Sequence, residues 1–178
     1  QKMFDDGLVY RGNRIINWDP KGQTVISDDE IEYEEREAKL YTFKYWKGFP
    51  ISISTTRPET KVGDTAVAVH PDDPRYQKYI GKGFQGEFSG VKLNIKIVSD
   101  KGVDKEFGTG ALGVTPAHSH ADWDIAEKNN LPRPQIIDER VKMTEQAGPL
   151  LSGLKTVQAR EKVIAWLKEN NLLEKEEN

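Results

Sequence analysis

Apolar and polar residues alternate with a period of two along much of the chain, the pattern of strands that cover one face and wet the other. Residues 14–18 and 24–27 flank Asp19-Pro20-Lys21-Gly22, a turn sequence that joins two short strands into a hairpin. Tyr41, Phe43 and Tyr45 alternate within 40–46, Lys47-Gly48 reverses the chain, and 51–56 alternates again, which predicts a second hairpin with its aromatics packed. Residues 65–69 form a further strand closed by His70-Pro71, and His70 by itself reads as a turn or core histidine. Two more strands, 84–88 and 91–98, face each other across Ser89-Gly90. In the second, Val91, Leu93, Ile95 and Ile97 oppose Lys92, Asn94 and Lys96, one dry face against one solvated face.

Helical signals are fewer. Asp73-Pro74 supplies an N-cap and a first-turn proline, predicting a helix that ends at Gly81 and buries Tyr76, Tyr79 and Ile80. Ser119 caps a predicted helix from 120 to about 130, with Asp122 in its first turn where a carboxylate suits the helix dipole. Thr156 caps a last helix whose Ala159, Val163, Trp166 and Leu167 share one face. Residues 135–137 read as a short strand and 141–144 as loop or strand. The charged run 28–39 reads as a solvated strand or edge, and 174–178 as a frayed terminus or a return towards a larger parent. Together these elements predict a mixed α/β, strand-rich fold: barrel-like, twisted, mostly antiparallel sheets with about three flanking helices.

Composition narrows the class. A chain of 178 residues with 36% hydrophobic content builds one core, so a single domain is expected. The absence of cysteine excludes a disulfide framework and suits a reducing, cytoplasmic setting. No apolar run reaches the length of a membrane span or a signal-peptide core, so no membrane partner is expected. A net charge of −3 gives no global attraction to nucleic acid, and any such contact must be local. The chain starts in mid-pattern without methionine, as an excised fragment would.

The densest chemistry lies in FGTGALGVTPAHSHAD, residues 107–122. Gly108, Gly110 and Gly113 satisfy G-x-G-x-x-G, but a dinucleotide fingerprint needs a strand before the glycines and a helix after them. Here Asp104-Lys105-Glu106 precedes and a strand follows, so that reading is rejected. His118, His120 and Asp122 form H-x-H-x-D, which could serve a metal-dependent hydrolase; with His70 the only other histidine and no cysteine, only a mononuclear site is conceivable. At the end of the 51–56 strand, Thr55, Thr56 and Arg57 precede a break at Pro58; β-branched threonines suit a strand, and hydroxyls with a guanidinium also suit a pocket wall.

GTGALGVTPAH with its following aspartate, STTRPET at 54–60 and AVAVHP at 66–71 together resemble the editing domain of class I aminoacyl-tRNA synthetases. Within that group the blocks are most similar to the valyl type, with the isoleucyl type as the alternative. Residues 7–33 match the segment that leads from the synthetase catalytic core into this insertion, so the resemblance covers nearly the whole chain. It implies one editing domain over 1–178, with 1–27 and 172–178 connecting to the parent core. The implied partners are the 3′ end of a misacylated tRNA and the parent's other domains. The parent would ligate valine to tRNA(Val) with ATP and Mg in its catalytic domain, leaving this domain without cofactor or metal.

The implied reaction follows from a limit on recognition. A pocket sized for valine rejects threonine only about a hundredfold, so a second site must hydrolyse the error. With no cysteine and no Ser/His/Asp triad, a bound water is the expected nucleophile. The resemblance assigns Asp122 to the substrate α-ammonium and Thr55, Thr56, Thr60 and Thr115 to the pocket and water. It sets Arg57 and Phe107 around the amino acid and terminal nucleotide, and His118 on the site wall. Relatives commonly carry lysine where this chain has Gly113, and aspartate where it has Ser119. The hydroxyl contact is therefore expected from Ser119 or His120, or else the domain is a tRNA-end-binding module that hydrolyses weakly. Both departures are expected to border an open pocket, so that Gly113→Lys with Ser119→Asp would be tolerated.

Overall fold

A computed structural model describes residues 1–34 and 37–177. A short helix, α1 (Lys2–Asp5), leads to the hairpin β1 (Asn17–Asp19) and β2 (Thr24–Ile26), which pair antiparallel. The hairpin is held to the body where Trp18 Nε1 and Gln23 Nε2 both donate to the Glu139 carbonyl, each at 2.9 Å. Next come β3 (Leu40–Phe43) and β4 (Ile53–Thr55), antiparallel, with Tyr41 opposite Thr55. A 3₁₀ segment, Pro58–Gly63, passes the chain to β5 (Ala66–Val69), followed by the β6 (Gly83–Phe88) and β7 (Val91–Ser99) hairpin. After β8 (Ala111–Val114), α2 (His120–Asn129), α3 (Thr156–Glu169) and β9 (Leu173–Glu177) complete the chain.

Among the described residues the strands form three open sheets: β1-β2, β4-β3-β9 and β6-β7-β5-β8. The fold is the expected strand-rich, mostly antiparallel α/β mixture, with β5-β7 the parallel pairing, but no sheet closes into a barrel. Strand β5 is buried on both faces because period two sends its residues into two cores. Val67 and Val69 enter the larger core with Phe43, Phe88, Ile95 and Leu167. Ala66 and Ala68 enter the smaller one, where their size lets Ile125 and Ala126 of α2 approach. The aromatics of the second hairpin are indeed packed: Phe43 stacks on Phe88 at 5.5 Å, and Tyr45 meets Phe49 edge-on at 5.2 Å.

Four local expectations are corrected. The 73–81 segment holds only a 3₁₀ turn, Gln77–Tyr79, because the Asp73 carboxylate accepts from the Arg75 amide and guanidinium and a span of about two turns cannot offset helix nucleation. Over its described residues, up to Glu177, the tail is not frayed: β9 pairs with β3, and Lys39 lies 2.7 Å from Glu176. Run 28–39 forms a 3₁₀ turn at Asp28–Glu30 and no strand among its described residues; positions 35 and 36 lie outside them. Thr156 is the first helical residue of α3, and Lys155 occupies the cap. Helix α2 starts as expected, with Ser119 Oγ accepting the Asp122 amide at 3.3 Å. Residues 137 and 143 form an isolated bridge. No helix among the described residues is long and apolar enough to cross a membrane.

Gly86 on β6 lies directly beneath the Trp46 indole, and a Cβ there would come 2.2 Å from its ring. Gly86→Ala should lower stability by about 1–3 kcal/mol through overpacking. Gly83→Ala on the same strand, where a Cβ meets nothing nearer than Asn94 at 3.9 Å, should cost much less. Urea unfolding of the two variants checks this; equal midpoints would show that the indole moves aside freely.

Candidate active site

Two chain breaks meet at the centre of the molecule. Strand β4 ends at Thr55, whose hydroxyl accepts the Arg57 amide at 3.1 Å, and the chain then turns into Pro58–Gly63. Thr60 is buried, and its hydroxyl donates to the Arg57 carbonyl at 2.9 Å, closing that turn. Strand β8 ends at Val114, and Thr115, Pro116 and His118 lead into the capped start of α2. Pairing between β5 and β8 fixes one break against the other.

Beneath them lies a buried polar cluster. Lys61 is 5% exposed, and its ammonium donates to Asp64 Oδ1 at 3.0 Å, the Gly113 carbonyl at 2.8 Å and Thr115 Oγ1 at 2.8 Å. Each of its three N–H groups therefore has an acceptor. Asp64 also accepts from the hydroxyls of Thr115 and Tyr45. The Thr115 amide donates to Asp122 Oδ2 at 2.8 Å, tying Asp122 to the same cluster. Burial pushes the Asp64 and Asp122 carboxyls and the Tyr45 phenol up. At Asp122 the Thr115 amide and then the Lys61 charge oppose that rise.

Above the cluster opens a cleft of about 1110 Å³, walled by Arg57, Glu59, His118, Ser119, His120, Trp123, Arg133 and Arg160, and bounded by the stretch from Asn13 to Pro20. Of the expected site residues, Arg57, His118, Ser119 and His120 reach this wall. Asp122, Thr115 and Thr60 are buried below it, Thr55 is half-buried and Thr56 exposed at the end of β4. Phe107 is 64% exposed in the loop before β8, away from the cleft wall. Gly113 does not border an open pocket: a Cβ there would lie 2.4 Å from Asp64 Oδ2 and 2.6 Å from the Tyr45 hydroxyl. The expected tolerance of Gly113→Lys is corrected accordingly, and even Gly113→Ala should lower the melting temperature. His118, His120 and Asp122 do not converge: among the described residues no three His, Asp or Glu side chains could hold a metal.

The sequence reading missed the ionic groups. Glu59 is buried, and Arg160 of α3 grips it through two bonds of 2.8 and 2.7 Å, linking the Pro58–Gly63 turn to that helix. Arg133 lies 4.1 Å over the Trp123 ring. Nothing in the sequence marks Glu59, Lys61 and Asp64 as buried, although all of 58–69 is buried in the fold.

His118 Nε2 accepts the Ile136 amide at 3.0 Å, which leaves its proton on Nδ1. Burial first, and then the Arg57 charge, pull its pKa down from 6.5 to about 4. The unfolded chain takes up this proton at higher pH than the folded one, so His118 contributes stability above pH 6.5 that is lost as pH falls towards 4. The loss amounts to at most about 3–4 kcal/mol at about 1.4 kcal/mol per pH unit, less whatever solvent screening removes at this partly exposed ring. Urea titrations at several pH values should show a shallower decline over this window in His118→Gln, whose amide oxygen can still accept from Ile136; identical slopes would contradict the assignment.

Residues 1–170 match the family model described as tRNA synthetases class I (I, L, M and V). The chain is 44% identical over 184 residues to the valine–tRNA ligase of Thermotoga maritima, covering 99% of this chain and 20% of that protein. It is 44% identical over 180 residues to the valine–tRNA ligase of Protochlamydia amoebophila, covering 99% and 19%. The chain thus spans about a fifth of the length of the curated relatives it matches. In fold it is similar to the crystal structure of GlLeuRS-CP1, with a TM-score of 0.50 and 14% identity over 72% of this chain and 83% of that one.

Proposed function

The chain belongs to the class I tRNA synthetases of the I, L, M and V group, and from that premise we propose that it is the editing domain of a valyl-type enzyme, hydrolysing mischarged Thr-tRNA(Val). The reading rests on one observation above all: a carboxylate, Asp122, held by the Thr115 amide just under a cleft walled by Arg57, His118, Ser119 and His120. A buried carboxylate held by the Thr115 amide, with the Ser119 side chain as its other hydrogen-bond partner, is the kind of group that receives an ammonium, which is what the free α-amino end of an aminoacyl ester presents. The net reaction adds water across the ester, releasing threonine and the terminal ribose hydroxyl of the tRNA.

In this reading a bound water attacks the ester carbonyl, and catalysis comes from positioning and electrostatics. Asp122 holds the α-ammonium and thereby sets the carbonyl over the threonine-lined turn of Thr55, Thr56, Thr60 and Thr115. The Arg57 guanidinium meets the charge that develops on the carbonyl oxygen or the neighbouring phosphate. His118 stays neutral at physiological pH and donates from Nδ1 into the cleft. Ser119 is committed to the cap of α2, which leaves His120, exposed at the cleft rim, as the better reader of the threonine hydroxyl. Segments 1–27 and 172–178 would lead into and out of the parent's catalytic core, the latter through β9. ATP and Mg belong to that core, and the tRNA 3′ end and the parent domains are the partners.

Asp122→Asn keeps an oxygen for the Thr115 amide but loses the charge. In the full-length ligase it should slow Thr-tRNA(Val) deacylation about ten- to a hundredfold, as the loss of a charge-assisted bond requires, with the melting temperature little changed. Unaltered deacylation would remove Asp122 from the substrate site. His120→Ala should lower hydrolysis of the threonyl ester severalfold and leave the slow valyl background unchanged. Ser119→Ala should instead cost about 1 kcal/mol of stability as a lost cap. Equal losses on both esters in His120→Ala would show that it supports the site without reading the hydroxyl.

A further inference from the structure

We propose that the buried Lys61–Asp64 pair is the positioning element of this site: it fixes the Thr115 hydroxyl and main chain so that the Thr115 amide holds Asp122, charged, against the cleft. The inference rests on the editing reading of Asp122 and adds to it residues that reading does not use. Its basis is the bonding order. Lys61 donates to Thr115 Oγ1, and Thr115 Oγ1 donates to Asp64, so the hydroxyl is committed on both sides and cannot rotate. One residue's side chain is thereby locked by the pair while its amide is bonded to the carboxylate of the site.

Stability alone does not account for such a pair. Burying a lysine and an aspartate costs several kcal/mol per ion, and well-packed apolar replacements are often as stable or more so. The chain neighbours Val62 and Val114 are buried, and Ile53 lies against Gly113, so a hydrophobic filling was open to the sequence. What the pair supplies that leucine could not is a fixed charge and oriented bonds. It also explains Gly113. The Lys61 ammonium bonds the Gly113 carbonyl, while the space a Cβ would need is taken by Asp64 and Tyr45. A cation therefore reaches this point of the site from residue 61, and residue 113 has to be without a side chain.

The charged and titratable groups that act on Asp122 are Lys61 from the Pro58–Gly63 turn, Arg57 just before it, and Tyr45 after β3, with Asp64 bonded to both Lys61 and Tyr45. The Lys61 charge favours the ionised form of Asp122, and Asp64 is the anion that offsets that charge, so removing one or the other should shift Asp122 in opposite directions, a readout that a scaffold role would not move. Thr-tRNA(Val) deacylation is measured against pH in the full-length ligase and in its Lys61→Met, Asp64→Asn and Asp122→Asn variants. Lys61→Met removes the nearby cation and should move the acid limb of the profile up by about one pH unit. Asp64→Asn leaves the cation uncompensated and should move the limb down. If Lys61→Met fails to fold, the direction shown by Asp64→Asn decides alone. Rates scaled at every pH without a shift, or limbs that move the same way in both variants, would overturn the proposal. A wild-type profile in Asp122→Asn would instead overturn the editing reading beneath it, whatever the other two variants show.

Discussion

A lysine and an aspartate that share one threonine hydroxyl in a dry interior set the terms for the rest of this structure. Neither charge tolerates that place unless every donor and acceptor is matched, and matching them requires contributions from three separate stretches: the 3₁₀ turn that carries Lys61 together with the Asp64 that ends it, Tyr45 beyond β3, and Gly113 at the end of β8 with the Thr115 that follows. The cluster is therefore satisfied only when the two hairpin-derived sheets are docked. It acts as a test of correct assembly as well as a support for Asp122.

The two cores on either side of β5 make that docking possible. Alternation along one four-residue strand commits valines to the large core and alanines to the small one, and the alanines set how near α2 can come. Because Ser119 caps α2 and Asp122 sits in its first turn, the depth of the helix fixes where the Asp122 carboxylate meets the Thr115 amide. The cleft is shaped on its other side by α3, whose Arg160 reaches the buried Glu59. Cleft wall and cores are thus linked by covalent neighbours: Glu59, Thr60 and Lys61 are consecutive, yet face α3, the Arg57 carbonyl and the Asp64 cluster in turn.

Much of the fold was legible because it rests on period. The alternation at 41–45, 66–69 and 91–97 identified β3, β5 and β7, and the Ser119 cap identified α2. Failures came where local signals compete with tertiary pairing. Asp73-Pro74 carries a helix-start signature, yet the Asp73 carboxylate serves Arg75. The acidic tail lacks apolar alternation, yet β3 offers it an open edge. In the site, residues tied to a motif could be located, but Gly113 and Phe107 could not be placed in depth: one lies buried under Asp64, the other exposed in a loop. Lys61 and Asp64 were invisible because lysine and aspartate are ordinarily solvated, and only three-dimensional contact shows that these two are not.

The central claim is that the cluster presents Asp122 to the ammonium end of an aminoacyl ester. The measurement that tests it most directly is the structure of the full-length ligase bound to a non-hydrolysable amide analogue of threonyl-adenosine. The account requires the analogue in the cleft beside Arg57 and His118, its ammonium about 2.8 Å from an Asp122 carboxylate oxygen, with the Lys61, Asp64 and Thr115 bonds unchanged. An analogue seated in the cleft with its ammonium turned to solvent, or to any other carboxylate, would contradict it.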